Sequence, residues 1–247
     1  MFFVLRKRSV GVFLGGILFL GISLGAYNLA LHPNMHNWKA QKLVITDVKT
    51  TEKAVALTFD DGPDPVNTPV VLDVLKKHQA QATFFVVGIR AEKQSELLQR
   101  MANEGHEIGN HSYSHADFNH KKKEFYQEEI RKTNASIESI SGQKPRLFRP
   151  PGGYLSYDMV EVTQKEKVTI AYWTYQQDSK DWQGNSSSQI SAHIIKNIKP
   201  GQIIILHDGY KNGLETARAL DKLIPELKQQ GYRFLTMSDL MLLEKQE

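Results

Sequence analysis

The chain has no cysteine among its 247 residues. That absence excludes disulfide staples, thiolate nucleophiles and every metal centre built on sulfur ligands. An exported protein of this length does without staples because it can bury its own core. Charge of one sign is also scarce. The 31 lysines and arginines nearly balance 27 acidic residues, a formal net charge of +4. Three of the basic residues, Arg6, Lys7 and Arg8, sit together near the start; setting them aside leaves 28 against 27, or +1. No general basic field remains for a polyanion, so no nucleic-acid partner is expected. Internal repeats and long low-complexity tracts are missing too, which argues against solenoids and disorder. The short basic run from His120 to Lys123 precedes "EFYQEEIRK" and reads as the start of a solvated helix face.

What is present begins with an apolar segment. From Ser9 to Leu31 there is no charge, and as a helix those 23 residues span about 34 Å, enough for a bilayer core. The basic cluster before it belongs on the cytoplasmic side, with everything after residue 31 outside. A cleaved signal peptide is the competing reading. Its best cleavage site, "LGA" ending at Ala26, has Leu24 where a small residue is wanted. The expectation is therefore a single-pass signal-anchor in the cell membrane, with secretion after cleavage as the alternative. The chain then divides into a basic tail (1–8), an anchor (9–31), a linker (32–52), one domain (53–242) and a short tail (243–247). A monomer is expected.

Within 53–242, short apolar runs alternate with helical patterns. The runs are 55–59, 83–87, 106–110, 146–150, 169–175, 202–206 and 232–236, most of them β-branched or aromatic and close to Gly or Pro. Stretches such as "TPVVLDVLKKH" and "QSELLQRMANEG" lie between them, with apolar residues at three- and four-residue spacing. Seven strand–helix units in series predict an α/β fold with a parallel sheet, open or closed into a barrel. Polar clusters follow the runs: "DDG", "HSYSH", "PPGGY", "QQDSKDW" and "HDG". They fall at the carboxyl ends of parallel strands, where such folds build their sites.

"LTFDDGPDP" poses the sharpest question, since Asp60 and Asp61 stand side by side at the end of a buried run. A strand-ending turn would account for Asp, Gly and Pro. The company of the other polar clusters favours a site in which each carboxylate has its own task. His111 and His115 share that edge, four residues apart. Two imidazoles and a carboxylate with open positions suit a catalytic zinc. His32 and His36 have the same spacing, but a proline lies inside "HPNMH" and no acid is near, so that pair is read as chance.

"TFDDGPDP", "HSYSH", "FRPPGG", "DSKDW" and "ILHD", in this order and spacing, resemble the polysaccharide deacetylase family, also called the NodB-homology domain or carbohydrate esterase family four. The resemblance covers roughly residues 53–242. It implies a distorted (β/α)7 barrel that removes N-acetyl groups from a glycan with one divalent ion, most simply Zn²⁺, with Co²⁺ or Mn²⁺ as alternatives. Asp61, His111 and His115 would hold the ion. Asp60 would be the general base and His207 the general acid, with Arg149 orienting Asp60 and Asp181 orienting His207. Trp182 and Ile205 would wall the acetyl pocket. After Pro151 the family usually has tyrosine; here Gly152 stands there and Tyr154 follows two residues later, so the backbone N–H is kept and the aromatic contact is altered. Peptidoglycan N-acetylglucosamine is the implied substrate. Chitin oligomers, poly-N-acetylglucosamine or acetylxylan are alternatives, as is an inactive glycan-binding protein.

Overall fold

The computed structural model describes residues 34–245. The chain divides into two units, Met1–Gln41 and Lys42–Glu247. The described part of the first is one short helix, α1 (Met35–Ala40), which carries His36. The expected anchor 9–31, the basic tail and His32 lie outside the described residues. Among the described residues no helix is long and apolar enough to cross a membrane.

The second unit is built on a sheet of parallel strands: β1 (Val44–Ile45), β2 (Ala54–Asp60), β3 (Thr83–Val86), β4 (Glu107–Asn110), β5 (Leu147–Phe148), β6 (Thr169–Ala171), β7 (Ile203–His207) and β8 (Arg233–Leu235). The spatial order is β1-β6-β5-β4-β3-β2-β7, with β8 beside the first half of β2. The sheet curls into a half-barrel. Its two ends are linked by the isolated bridges Asp47–Gln202 and Asp178–Ile205 rather than by paired strands. Eight strands stand where seven were expected. The addition is β1, inside the stretch read as linker, and it pairs Val44 with Ile170 and Ile45 with Ala171. Two residues are too few to show a strand period, and only the partner identifies them. The run 169–175 is a strand only to Ala171, because Thr174 leaves β6 and its N–H donates to Ile203.

The helices are α2 (Asn67–Lys77), α3 (Gly88–Lys93), α4 (Ser95–Asn103), α5 (Lys123–Ser141), α6 (Tyr157–Lys165), α7 (Ser187–Asn197), α8 (Gly213–Gln229) and α9 (Met237–Met241). The "GNSSSQ" loop ends as its composition predicts. Ser186 caps α7, and Gln189 completes a capping box.

Alternation along the strands decides what faces the barrel interior. On β2, Val55, Leu57 and Phe59 join the large core beneath the helices, while Ala54 and Ala56 join the smaller inner core. Thr58 and Asp60 continue that inner row. On β7, Ile204 and Leu206 pack outward, leaving Ile203, Ile205 and His207 on the inner row. The inner row is thus apolar at the strand starts and chemical at the carboxyl ends. Asp60 and His207 are register partners across β2 and β7.

Candidate active site

The same alternation carries Arg149 inward just past β5, where its guanidinium is fully buried. Four acceptors surround it. Nη1 donates to Asp60 Oδ1 at 2.6 Å and Thr58 Oγ1 at 2.9 Å; Nε donates to Ala171 O at 2.9 Å and Nη2 to Tyr172 O at 3.0 Å. The group also lies 4.0 Å over the Phe85 ring. A charge this deep is tolerable only with a counter-ion and filled donors. Asp60 is that counter-ion, and the geometry leaves its other oxygen, Oδ2, 4.0 Å from His111 Nε2.

Consecutive strand residues point to opposite faces, so Asp61 should turn away from Asp60. It does not, because its φ of +73° breaks the alternation. Left-handed backbone is uncommon outside glycine, although aspartate tolerates it better than most residues. The turn is held by neighbours. Arg90 Nη1 donates to Asp61 O at 2.8 Å and Gly209 O at 2.7 Å. The reward of the strained turn is that Asp61 Oδ1 lies 3.3 Å from His111 Nε2 and 3.0 Å from His115 Nε2. One ligand atom from each of the three residues lies within 4.8 Å of the others.

The donor chemistry of this triad fits a cation. His111 Nδ1 sits 2.7 Å from the Arg149 carbonyl, which can only accept. With Nδ1 turned to that carbonyl, Nε2 is the ring atom aimed at a carboxylate. Two lone-pair atoms this close repel unless a proton or metal lies between them. Burial works against ionised Asp61, but its hydrogen bonds to His111 and His115 outweigh that and hold the carboxyl far below its ordinary range. The hydrogen bond to Asp61 likewise pushes His115 up. His111 is buried, whereas the His115 side chain is 42% exposed, so the triad opens on that side.

The loop carrying the histidines is organised from α5. The carboxylate of Glu129 accepts from Tyr113 N at 2.9 Å, Ser114 N at 2.8 Å and the Ser114 hydroxyl at 3.0 Å. Asn110 donates to Ile130 O and Asn134 Oδ1, and accepts from Ser112 N. Neither residue stood out in the sequence. A buried glutamate inside an amphipathic helix looks like part of its polar face until the loop above it is known.

On the far side of Asp60, Asp181 is buried in a one-turn 3₁₀ helix (Asp181–Gln183) and holds His207 twice, through Nδ1 at 2.8 Å and the backbone N–H at 2.8 Å. The Thr216 hydroxyl adds a third bond to Asp181 at 2.7 Å. Burial works against a charged imidazole. The Asp181 hydrogen bond and charge overcome it, with help from Asp60 and Asp61, and His207 is pushed up to about 9. The ring is therefore protonated at neutral pH with Nε2 free to donate. Asp208 next to it is fully buried, and burial, reinforced by the nearby Asp61 and Asp60 charges, pushes its carboxyl up to about 7.

Sites for substrate contact are less uniform. Ile205 is buried on the inner row, and Trp182, on the Asp181–Gln183 turn, is 40% exposed. Pro151 is buried at the start of a 3₁₀ turn (Pro151–Gly153). Gly152 has φ +63° and open space around it, a left-handed backbone that glycine adopts without penalty. Tyr154 is already engaged: its hydroxyl accepts from Tyr126 at 3.2 Å and its carbonyl from the Tyr172 hydroxyl at 2.8 Å.

Comparison with known proteins decides the family. A profile described as polysaccharide deacetylase matches residues 47–171. A peptidoglycan-N-acetylglucosamine deacetylase of Bacillus cereus is 40% identical over 198 residues, which is 80% of this chain and 92% of that protein. The chain belongs to the polysaccharide deacetylase family. As such it is a hydrolase of N-acetyl amide bonds. The crystal structure of the Bc1960 peptidoglycan N-acetylglucosamine deacetylase superimposes with a TM-score of 0.79 at 35% identity, covering 85% of this chain and 98% of that one. A family 4 acetyl xylan esterase from Clostridium thermocellum, solved with a cobalt ion, gives 0.70 at 39% identity, covering 77% of this chain and 91% of that one. Both solved structures share this chain's fold.

Proposed function

We propose that this deacetylase removes the acetyl group from N-acetylglucosamine of peptidoglycan and releases acetate. The observation that carries the reading is the placement of two opposed proton-transfer groups, Asp60 and His207, as register partners beside the Asp61–His111–His115 triad. The relatives named for peptidoglycan support the polymer.

Asp61, His111 and His115 hold one divalent ion, with zinc the best match to this donor set and cobalt or manganese also accepted. When bound it supplies Lewis acidity towards the carbonyl and makes water a better nucleophile near neutral pH. Asp60 takes a proton from the attacking water. Arg149 holds Asp60 in place and fixes which oxygen faces the reaction. His207, charged and held by Asp181, gives its proton to the amide nitrogen as the C–N bond breaks, because an amine leaves well only when neutral. The free N–H of Gly152 serves the developing oxyanion, while Trp182 and Ile205 shape the space for the acetyl methyl. The segment 9–31 anchors the enzyme in the cell membrane, so the sugar chain is met outside the cell as a monomer would meet it.

Mass-spectrometric assay of acetate loss across a panel decides the substrate. The panel contains peptidoglycan fragments, chitin oligomers, poly-N-acetylglucosamine and acetylxylan. Preference for the peptidoglycan fragments is expected. Preference for acetylxylan would transfer the assignment to ester chemistry like that of the Clostridium relative, and no release from any of them would overturn the reading.

A further inference from the structure

Asp208 is the one acid of the motif "HDG" for which the mechanism has no use. It is fully buried. No cation meets it. Its Oδ2 accepts from the Thr68 hydroxyl, and its Oδ1 has no hydrogen-bond partner. A buried carboxyl with one neutral donor and one orphaned oxygen is costly, so its presence needs a reason.

The reason lies in what it touches. The carboxyl rests against the α-carbon of Gly62, the residue after the strained Asp61, so closely that a methyl group added there would overlap it. In return Gly209 leaves room for the backbone carbonyl of Asp61, where an added methyl group would again overlap. The N–H groups of Asp208 and Gly209 both lie 3.3 Å from the Asp60 carbonyl, their common acceptor. Thr68, on the first turn of α2, ties the assembly to a rigid element: its oxygen accepts from Asp64 N at 2.8 Å while its hydroxyl donates to Asp208.

We propose that Asp208 is a positioning residue: its carboxyl wedges under Gly62 and holds the Asp60–Asp61 turn in the left-handed geometry that brings both aspartates to the histidines. Shape and the Thr68 bond carry this role, and its charge does not. Adjacent residues of one dipeptide then serve both halves of the reaction, His207 as proton donor and Asp208 as support for the opposite loop. The proposal rests on the metal assignment of Asp61.

The test uses the full-length protein stripped of metal, titrated with zinc by calorimetry, with circular dichroism as the check on folding. Asp208→Ala opens a void under the turn and should weaken zinc binding by about ten- to a hundredfold, the range for residues that orient metal ligands. Asp208→Asn keeps the shape and should bind within about threefold of wild type. In the reloaded enzyme, kcat should fall for Asp208→Ala with KM little changed, and Asn should restore it. If Asp208→Ala fails to fold, Thr68→Val takes its place. It keeps volume, loses the hydroxyl, and should weaken zinc about three- to tenfold. Wild-type affinity in Asp208→Ala or Thr68→Val overturns the proposal, as does an Asn variant as weak as Ala. A wild-type protein that binds no zinc overturns the metal assignment and this proposal together, which distinguishes the two failures.

Discussion

Two buried aspartates face cations, and the cations differ in kind. Asp60 meets Arg149, a permanent charge with no exposed surface and four acceptors around it. Asp181 meets His207, which loses its charge within reach of ordinary pH and keeps 14% of its side chain exposed. The difference separates holding from giving. A guanidinium cannot release its proton, so it holds its partner in one orientation. An imidazole raised by its partner can hold a proton and also surrender it. In the proposed mechanism one scaffold thus makes a base from one ion pair and a proton donor from the other.

Asp60→Asn attacks the first pair most directly. Activity should fall by about 10²- to 10⁴-fold or more while zinc content stays at wild-type level, since the triad is untouched. Kinetics beside metal analysis checks this. A variant that loses its zinc, together with an Asp61→Asn variant that keeps it, would exchange the roles of the two aspartates.

Removing the permanent cation should cost folding as well as rate. Arg149→Ala leaves the Asp60 carboxylate buried and unpaired, a loss of about 3–5 kcal/mol. In thermal unfolding that amounts to a drop in Tm of about 10 °C for a domain of this size. Arg149→Lys should lose less stability yet still lose activity, because a single ammonium cannot reach four acceptors.

The titratable pair should show itself in pH. In the proposed mechanism His207 acts in its protonated form, so kcat/KM should fall as pH rises through its raised value of about 9. The same sign governs stability: with the folded pKa above the unfolded value of about 6.5, the pair's contribution is complete below 6.5 and gone above 9. Asp181→Asn should move the alkaline limb down towards 6.5 and change acid-side activity less. An unmoved limb would show that another group sets it.

The smallest effect sharpens the same point. Thr216→Val removes one of three hydrogen bonds to the Asp181 carboxylate and should lower the limb by less than about one pH unit, in line with the net worth of a single hydrogen bond. A shift as large as that of Asp181→Asn would mean that Thr216, not Asp181, governs the proton.

How much of this was legible in the chain depended on distance along it. Asp60 beside Asp61, His111 four before His115, and His207 at the end of "QIIILH" are local patterns at strand ends, and they were read from spacing and order. The packing roles were not. Glu129 lies 15 residues from Ser114 and Thr216 lies 35 from Asp181, and nothing local marks either one. β1 was missed because its two residues have meaning only beside β6. Asp208 was visible in "HDG", but a buried acid cannot be told from a turn residue until Gly62 is seen against it. The positive φ of Asp61 is the subtlest case: the sequence shows two adjacent acids, and only the backbone shows how both reach one side.

The Glu129 clamp has a practical consequence for redesign. It grips the histidine loop up to Ser114, Phe118 is then buried against Tyr126 and Phe148, and only the exposed stretch from Asn119 to Lys122 is left without such an anchor before α5 begins at Lys123. A library of longer or shorter segments inserted there would alter the rim of the cleft while the ligand residues keep their register against the helix. Substrate range could be varied at this point as one adjusts the jaw of a vice, with the bench left untouched.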